Sequence, residues 1–106
     1  MTVRSPFRYR YALNYCTYNY TYSFYDWNDW ERELDWMALN GVNLMLAPLG
    51  TELVWAQTLE DAGFTEEEIG DFIPGPAFTA WWLMGNLEGW GGPMSRGMME
   101  NRARMQ

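Results

Sequence analysis

The first apolar and aromatic run of the chain predicts a strand. Residues 8–16, "RYRYALNYC", are rich in tyrosine and contain no glycine or proline. Successive side chains on a strand point to opposite faces. Asn14 and Cys16 are therefore predicted to share one face, near the carboxyl end of the strand.

The next pattern has helical spacing. Residues 26–40, "DWNDWERELDWMALN", predict a helix, and Gly41 follows at a position typical of a helix end. Two apolar residues of this segment, Trp36 and Leu39, lie off the main apolar stripe, which predicts a helix buried on more than one side. The stripe consists of Trp27, Trp30, Leu34, Met37 and Ala38.

A short, nearly continuous apolar run follows directly. Residues 42–48, "VNLMLAP", are typical of a strand buried on both faces of a parallel sheet. Strand, helix and strand joined by short connections form a right-handed βαβ unit, which indicates the α/β class. Two strands are too few for a stable parallel sheet, so we expect the chain to be the opening of something larger.

The second half of the chain predicts helices only. Residues 51–62 form one, and Thr65 and Glu68 match a capping box that opens another, ending before Pro74. Pro76 suits a first helical position and predicts a helix over residues 76–85. A last helix is predicted over 95–106, with four methionines that are expected to find few contacts. These are Met94, Met98, Met99 and Met105.

Composition shows that the aromatic rings cannot all be buried. The chain has 106 residues, enough for one small domain, and 18% of them are aromatic. Small domains leave much of their surface in water. Some rings are therefore expected to face a ligand, a partner or further protein.

Charge and residue usage exclude several function classes. The net charge of −7 argues against nucleic acid or an anionic membrane as a partner, and no apolar run approaches the ~18 residues of a membrane span. The absence of histidine excludes imidazole metal sites and histidine triads, and a single cysteine excludes an internal disulfide. We expect no metal and no cofactor.

Three candidate site residues lie at or after the carboxyl ends of the predicted strands. Asn14 and Cys16 lie near the carboxyl end of the first strand, where α/β folds bind ligands. The alternative is that Cys16 is a small buried apolar residue and Asn14 caps a turn. Glu52 follows the second strand and could bind a substrate hydroxyl. It also suits the first turn of a helix, where the helix dipole favours a carboxylate.

Two adjacent tryptophans offer a further candidate. Trp81 and Trp82 lie about 100° apart on a predicted helix, so at most one can point into a given pocket. An aromatic ring could pack against the apolar face of a sugar. Packing in the core is the alternative.

The long blocks of the sequence resemble one enzyme family. "FRYRYALNYCTYNYTYSFYDWNDWERELDWMALNGVNL", "GTELVW" and "GPAFTAWWLMGNLEGWGGP" are similar to glycoside hydrolase family 89, the α-N-acetylglucosaminidases, over about residues 7–93. The resemblance implies a (β/α)₈ TIM barrel, of which residues 1–106 would be an incomplete opening β/α portion. The family includes lysosomal and bacterial enzymes, so the compartment would be lysosomal in an animal and secreted or periplasmic in a bacterium.

The resemblance also implies a chemistry. Family members hydrolyse terminal α-linked N-acetylglucosamine with retention, using two glutamates that lie downstream of this chain. The implied substrate-binding residues are Asn14, Cys16 and Trp81, with a family-typical glutamate at Glu52, and the chain would hold no catalytic residue. The implied partners are a glycan substrate and the remainder of the barrel. Residues 94–106 depart from the pattern of the lysosomal members, which suggests a different aglycone preference.

A second hypothesis is a stand-alone carbohydrate-binding or interaction module without catalysis. The many aromatic residues suit such a module. The incomplete last helix and the small number of strands argue against it.

Overall fold

The computed structural model describes residues 4–106, which form two short strands and six helices. The elements are β1 (Tyr11–Ala12), α1 (Tyr15–Tyr20), α2 (Trp27–Leu39), β2 (Leu44–Met45), α3 (Thr51–Asp61), α4 (Glu66–Phe72), α5 (Thr79–Leu83) and α6 (Arg96–Met105). None of the helices in this range has the length and apolar character needed to span a membrane.

The two strands pair in parallel, as the βαβ pattern predicts. Tyr11 lies opposite Leu44, and Ala12 lies opposite Met45. Both strands are shorter than the sequence pattern suggests, since β2 covers only two residues of the predicted segment 42–48.

A side chain extends this short pairing. Asn43 Oδ1 accepts a hydrogen bond from the Arg10 backbone N–H at 2.8 Å, and Asn43 Nδ2 donates to the Arg8 carbonyl at 3.0 Å. The Asn43 backbone N–H donates to the Arg10 carbonyl at 3.1 Å. One asparagine thus continues the ladder on the N-terminal side, where regular strand geometry is lost.

The predicted strand over residues 8–16 is wrong beyond Ala12. Leu13 has a positive φ of 69°, and the chain turns directly into α1. Asn14 caps α1, because its Oδ1 accepts from the Thr17 backbone N–H at 3.0 Å. Tyrosine favours strands only where it fits a half-buried sheet, and here Tyr18 is buried on a helix instead. Asn14 and Cys16 therefore do not share a strand face.

The helix predicted over residues 26–40 is confirmed. Asp26 and Asp29 form a capping box, with the Asp29 N–H donating to Asp26 Oδ1 at 3.1 Å. Gly41 follows the helix with a φ of +77°, a conformation that suits glycine.

Only part of the apolar surface of α2 is buried. Trp30 and Met37 are in the interior, whereas Trp36 is 57% exposed and Leu39 is 88% exposed. The prediction that α2 is buried on more than one side is not met within this chain, because no described element covers that side.

The later helices follow the sequence closely, with one exception. Thr65 and Glu68 form the predicted capping box at α4, and Ser95 caps α6. The helix predicted over residues 76–85 is reduced to α5, because residues 76–78 form turns in which the Phe78 N–H donates to the Gly75 carbonyl at 3.0 Å.

The interior consists of two separate apolar clusters. The first lies among α3, α4, α5 and α6 and contains Ala56, Ile69, Ile73, Trp82, Met94 and Met99. The second lies among α1, α2 and the segment after β2 and contains Tyr18, Tyr22, Trp30 and Leu49. The expectation that the late methionines find few contacts is wrong. Met94 and Met99 are buried in the first cluster, Met98 packs against the same cluster, and Met105 packs against the second.

The molecule is extended for its length. Its Cα radius of gyration is 16.2 Å, whereas a compact domain of this size has about 13 Å. Its accessible surface is 7266 Å², against about 6200 Å² for a folded monomer of equal mass. Much apolar surface therefore remains in water.

Candidate functional site

Asn14 lies two residues after β1 and caps the start of α1. Its Oδ1 accepts from both the backbone N–H and the hydroxyl of Thr17, each at 3.0 Å. No residue between 4 and 106 accepts a hydrogen bond from its Nδ2, and the residue is exposed. The Asn14 oxygen therefore caps a helix, which is the alternative that the sequence left open. The amide N–H₂ group stays available to a ligand.

Cys16 is an exposed free thiol in the first turn of α1. It is not a buried apolar residue, the alternative considered for it. It follows the end of β1 by four residues.

Trp81 and Trp82 point in different directions, as adjacent helical positions must. Trp82 is 6% exposed and packs in the first cluster. Trp81 is half-buried, and its ring lies 5.4 Å from that of Tyr20 in an edge-to-face arrangement. Helix α5 packs against α1, so the structure brings Trp81 to the helix that begins at Asn14 and Cys16.

Glu52 occupies a different environment. Its side chain is completely buried, and Oε1 accepts from Arg102 Nη2 at 2.8 Å and Nε at 3.1 Å. Arg102 Nη1 also donates to the Ser23 carbonyl at 3.1 Å. Glu52 thus joins the first turn of α3 to α6 and does not face solvent. Sequence reasoning missed Arg102, because 50 residues separate the partners and no local spacing links them.

Two tyrosines of the first half of the chain, Tyr18 and Tyr22, belong to the second cluster. Tyr18 packs against Trp30 at 5.5 Å between ring centroids, and Tyr22 packs against Trp30 at 5.1 Å. Burial raises the pKa of Tyr18 to about 12, helped by nearby Tyr11. Burial also raises the pKa of Tyr22, whose hydroxyl donates to Glu33 Oε1 at 2.8 Å.

One buried amide has no partner. Asn19 is 5% exposed, and within residues 4–106 neither its Oδ1 nor its Nδ2 is hydrogen-bonded to protein. A buried polar atom without a partner costs about 1–3 kcal/mol. Its amide is therefore left unsatisfied by residues 4–106.

A groove of about 730 Å³ lies between residues 23–27 and α6. Its lining includes Phe24, Trp27 and Arg104, but not Asn14, Cys16 or Trp81. The candidate residues thus lie on an open surface outside this groove.

Comparison with known proteins gives this arrangement a family. The family model described as "Alpha-N-acetylglucosaminidase (NAGLU) tim-barrel domain" matches residues 10–106. The chain belongs to this family. Human alpha-N-acetylglucosaminidase is 51% identical over 94 residues, which cover 89% of this chain and 13% of the human protein.

Solved structures of a bacterial family member agree with the fold. The family 89 glycoside hydrolase from Clostridium perfringens superposes with a TM-score of 0.88 at 50% identity, over 94% of this chain and 11% of that one. It has been solved with PUGNAc, with 2-acetamido-1,2-dideoxynojirmycin and, as a variant with two glutamates replaced by glutamine, with its substrate GlcNAc-alpha-1,4-galactose. The chain described here thus spans about an eighth or less of the length of these relatives.

Proposed function

We propose that the chain is part of a retaining α-N-acetylglucosaminidase that removes terminal α-linked N-acetylglucosamine from glycans. The observation that carries this proposal is the superposition on the Clostridium perfringens hydrolase, with a TM-score of 0.88 at 50% identity. That protein was solved with GlcNAc-alpha-1,4-galactose as its substrate.

Residues 1–106 form, in this proposal, the incomplete opening β/α portion of a (β/α)₈ barrel. The parallel β1–β2 pair with helices between its strands supports this assignment. The exposed Trp36 and Leu39 on α2 and the unpartnered amide of Asn19 support it too, since further barrel elements would cover these apolar side chains and offer hydrogen-bond partners to the amide.

The chain contributes part of the wall that recognises the sugar. The Asn14 amide donates to a sugar hydroxyl or to the acetamido oxygen, Cys16 lines the pocket as a small contact, and Trp81 supplies an apolar face. The buried ion pair between Glu52 and Arg102 favours the structural alternative for Glu52, in the first turn of a helix. Glu52 then supports the sugar-binding surface without contacting the sugar.

The two catalytic glutamates belong to the remainder of the enzyme. A retaining glycosidase needs two carboxyl groups about 5–5.5 Å apart, facing one sugar. Four acidic residues of this chain have other roles, which supports this assignment. Glu52 is paired with Arg102, Glu60 with Arg96 and Asp29 with Arg32, while Glu68 caps α4.

A chimera tests the proposal. Residues 1–106 replace the matching segment of the Clostridium perfringens enzyme, and hydrolysis of methyl α-N-acetylglucosaminide is measured. We expect turnover by the chimera and none by the chain alone. Trp81→Ala should lower kcat/KM about tenfold, since one aromatic face is lost. Turnover by the chain alone would contradict the proposal that the catalytic glutamates lie outside it. A folded but inactive chimera would contradict the proposed glycosidase function.

The alternative of a stand-alone carbohydrate-binding module makes the opposite prediction for the isolated chain. Calorimetry with N-acetylglucosamine separates the two. A module binds the sugar unaided and saturably, whereas part of a barrel wall binds it weakly because most of the contacts are missing.

A further inference from the structure

Four aromatic rings form a continuous row that includes Trp81. Tyr20, Trp81, Phe78 and Trp90 follow one another with centroid separations of 5.4, 6.2 and 5.9 Å. Tyr20 and Trp90 at the two ends are 70% and 63% exposed. This aromatic row reaches from the end of α1, across α5, to the glycine-rich loop over residues 85–92.

Trp90 is exposed but firmly held by its backbone. The Trp90 carbonyl accepts from the Gly75 N–H at 2.8 Å, and the neighbouring Gly89 N–H donates to the Phe72 carbonyl at 3.1 Å. The loop is thus fastened to the end of α4 on both sides of the ring.

The glycines around Trp90 allow this close approach. A Cβ on Gly75 would lie 1.8 Å from the Gly91 oxygen, and a Cβ on Gly91 would lie 2.5 Å from the Phe78 ring. No other residue fits at either position without moving backbone or ring. The loop is therefore tightly packed beneath an indole that remains in water, which is the preorganised aromatic surface that binds ligands at low entropic cost.

The position of the row in the chain places it on the side of the proposed barrel that binds substrate. The row's α5 and glycine-rich loop lie in the long connection between β2 and α6, and α1 follows β1. In a (β/α)₈ barrel, connections from strand to helix form the face that binds substrate. Trp90 therefore lies on the same connection as Trp81, two rings away along the row.

We propose that Trp90 binds the second sugar of the substrate, the one that leaves when the terminal N-acetylglucosamine is removed. Its exposed ring packs against the C–H face of that sugar, and Trp81 packs against the terminal unit. Trp90 thereby favours disaccharides and longer glycans over substrates with a small leaving group. This inference rests on the proposed function of Trp81 and deepens it.

The test compares two substrates in the chimera described above. GlcNAc-alpha-1,4-galactose carries a second sugar, and methyl α-N-acetylglucosaminide carries a methyl group in its place. Trp90→Ala should lower kcat/KM for the disaccharide about tenfold and leave that for the methyl glycoside within about twofold. Trp90→Phe should restore part of the loss. Arg32→Ala, at a side chain of α2 that is 78% exposed and outside the row, should affect neither.

Two outcomes would overturn the assignment. Equal losses on both substrates would mean that Trp90 only holds Trp81 in place, and unchanged kinetics on both would mean that Trp90 contacts no sugar. Loss of activity by Trp81→Ala with no substrate difference for Trp90→Ala would leave the proposed function intact and reject the second-sugar role.

A measurement on the chain itself decides the question if the chimera does not fold. The seven tryptophan indole N–H signals are assigned by single substitutions and followed by NMR during titration. The Trp90 signal should shift with the disaccharide and not with N-acetylglucosamine, while the Trp36 signal stays fixed. Absence of a Trp90 shift with the disaccharide would reject the proposal.

Discussion

At the scale of single residues, one buried cation joins three parts of the chain. Arg102 is 6% exposed, pairs with the fully buried Glu52 and donates to the carbonyl of Ser23. Two charges taken from water lose most of their mutual attraction to desolvation. Such a pair adds little net stability, but removal of one partner leaves a charge that the interior cannot solvate.

Arg102→Ala should lower the free energy of unfolding by about 3 kcal/mol, since Glu52 then stays buried without its cation. Arg32→Ala is the matched control, because Arg32 pairs with Asp29 at 2.6 Å but its side chain is 78% exposed, and it should cost less than about 1 kcal/mol. Urea unfolding followed by circular dichroism measures both. Equal effects of the two substitutions would show that burial of the Glu52 pair is energetically unimportant.

A buried phenol gives the chain a sensitivity to alkali. The pKa of Tyr18 is raised from 10.0 to about 12, because burial disfavours the phenolate. A raised pKa contributes stability that is fully present below pH 10.0 and is lost as the pH rises through about 12. The free energy of unfolding should therefore fall across this window, and Tyr18→Phe should make the fall less steep. Tyr22, raised in the same direction, remains in the variant. An unchanged slope would contradict the environment described for Tyr18.

At the scale of elements, the starts of three helices were predictable and the end of the first strand was not. Asp26 at α2, Thr65 at α4 and Ser95 at α6 each cap through a local side chain, so their spacing in the sequence was sufficient. The end of β1 depends on Asn14 acting as a cap and on burial of Tyr18 against residues 30 and 49. Contacts this distant leave no periodic signal, so tyrosine content alone suggested too long a strand.

In the candidate site, too, local features were predictable from the sequence and distant contacts were not. That only one of Trp81 and Trp82 can face a pocket follows from helical geometry, and the structure agrees. The partner of Glu52 and the row that joins Trp81 to Trp90 depend on tertiary contacts between α3 and α6 and between α5 and the glycine-rich loop. Neither is visible as a motif.

The contact between α4 and the glycine-rich loop should be intolerant of a single methyl group. Gly75→Ala would place a Cβ 1.8 Å from the Gly91 oxygen. We therefore expect the loop to lose its backbone hydrogen bonds and the free energy of unfolding to fall by about 2 kcal/mol or more, as in other overpacked sites. Gly97→Ala is the control, because nothing lies within 4 Å of its Cβ position in α6, and it should stabilise by up to about 1 kcal/mol. Thermal unfolding of both variants measures the difference. A tolerated Gly75→Ala would contradict the close packing.

At the scale of the whole molecule, most of the buried apolar side chains fall into two distinct clusters. The first depends on Ile73, which is completely buried, and the second on Trp30. An extended chain with divided cores is expected to open in parts and not as one unit.

Ile73→Ala should therefore reduce hydrogen-exchange protection unevenly. A cavity at a fully buried isoleucine costs about 2–5 kcal/mol, and the loss should be confined to α3, α4, α5 and the first half of α6. Protection of α2 should change little. Uniform loss along the chain, measured by amide exchange, would show that the two clusters form a single cooperative unit.

Helix α6 connects these clusters, and this sets an order for folding during synthesis. Met99 enters the first cluster, Met105 packs against the second, and Arg102 lies between them with its bonds to Glu52 and Ser23. A ribosome delivers α6 after every other element described here. The emerging chain can form separate local helices, but about fifty further residues must be translated before Arg102 can pair with Glu52. A pause in translation before α6 would thus leave the Glu52 carboxylate exposed to water until Arg102 is made.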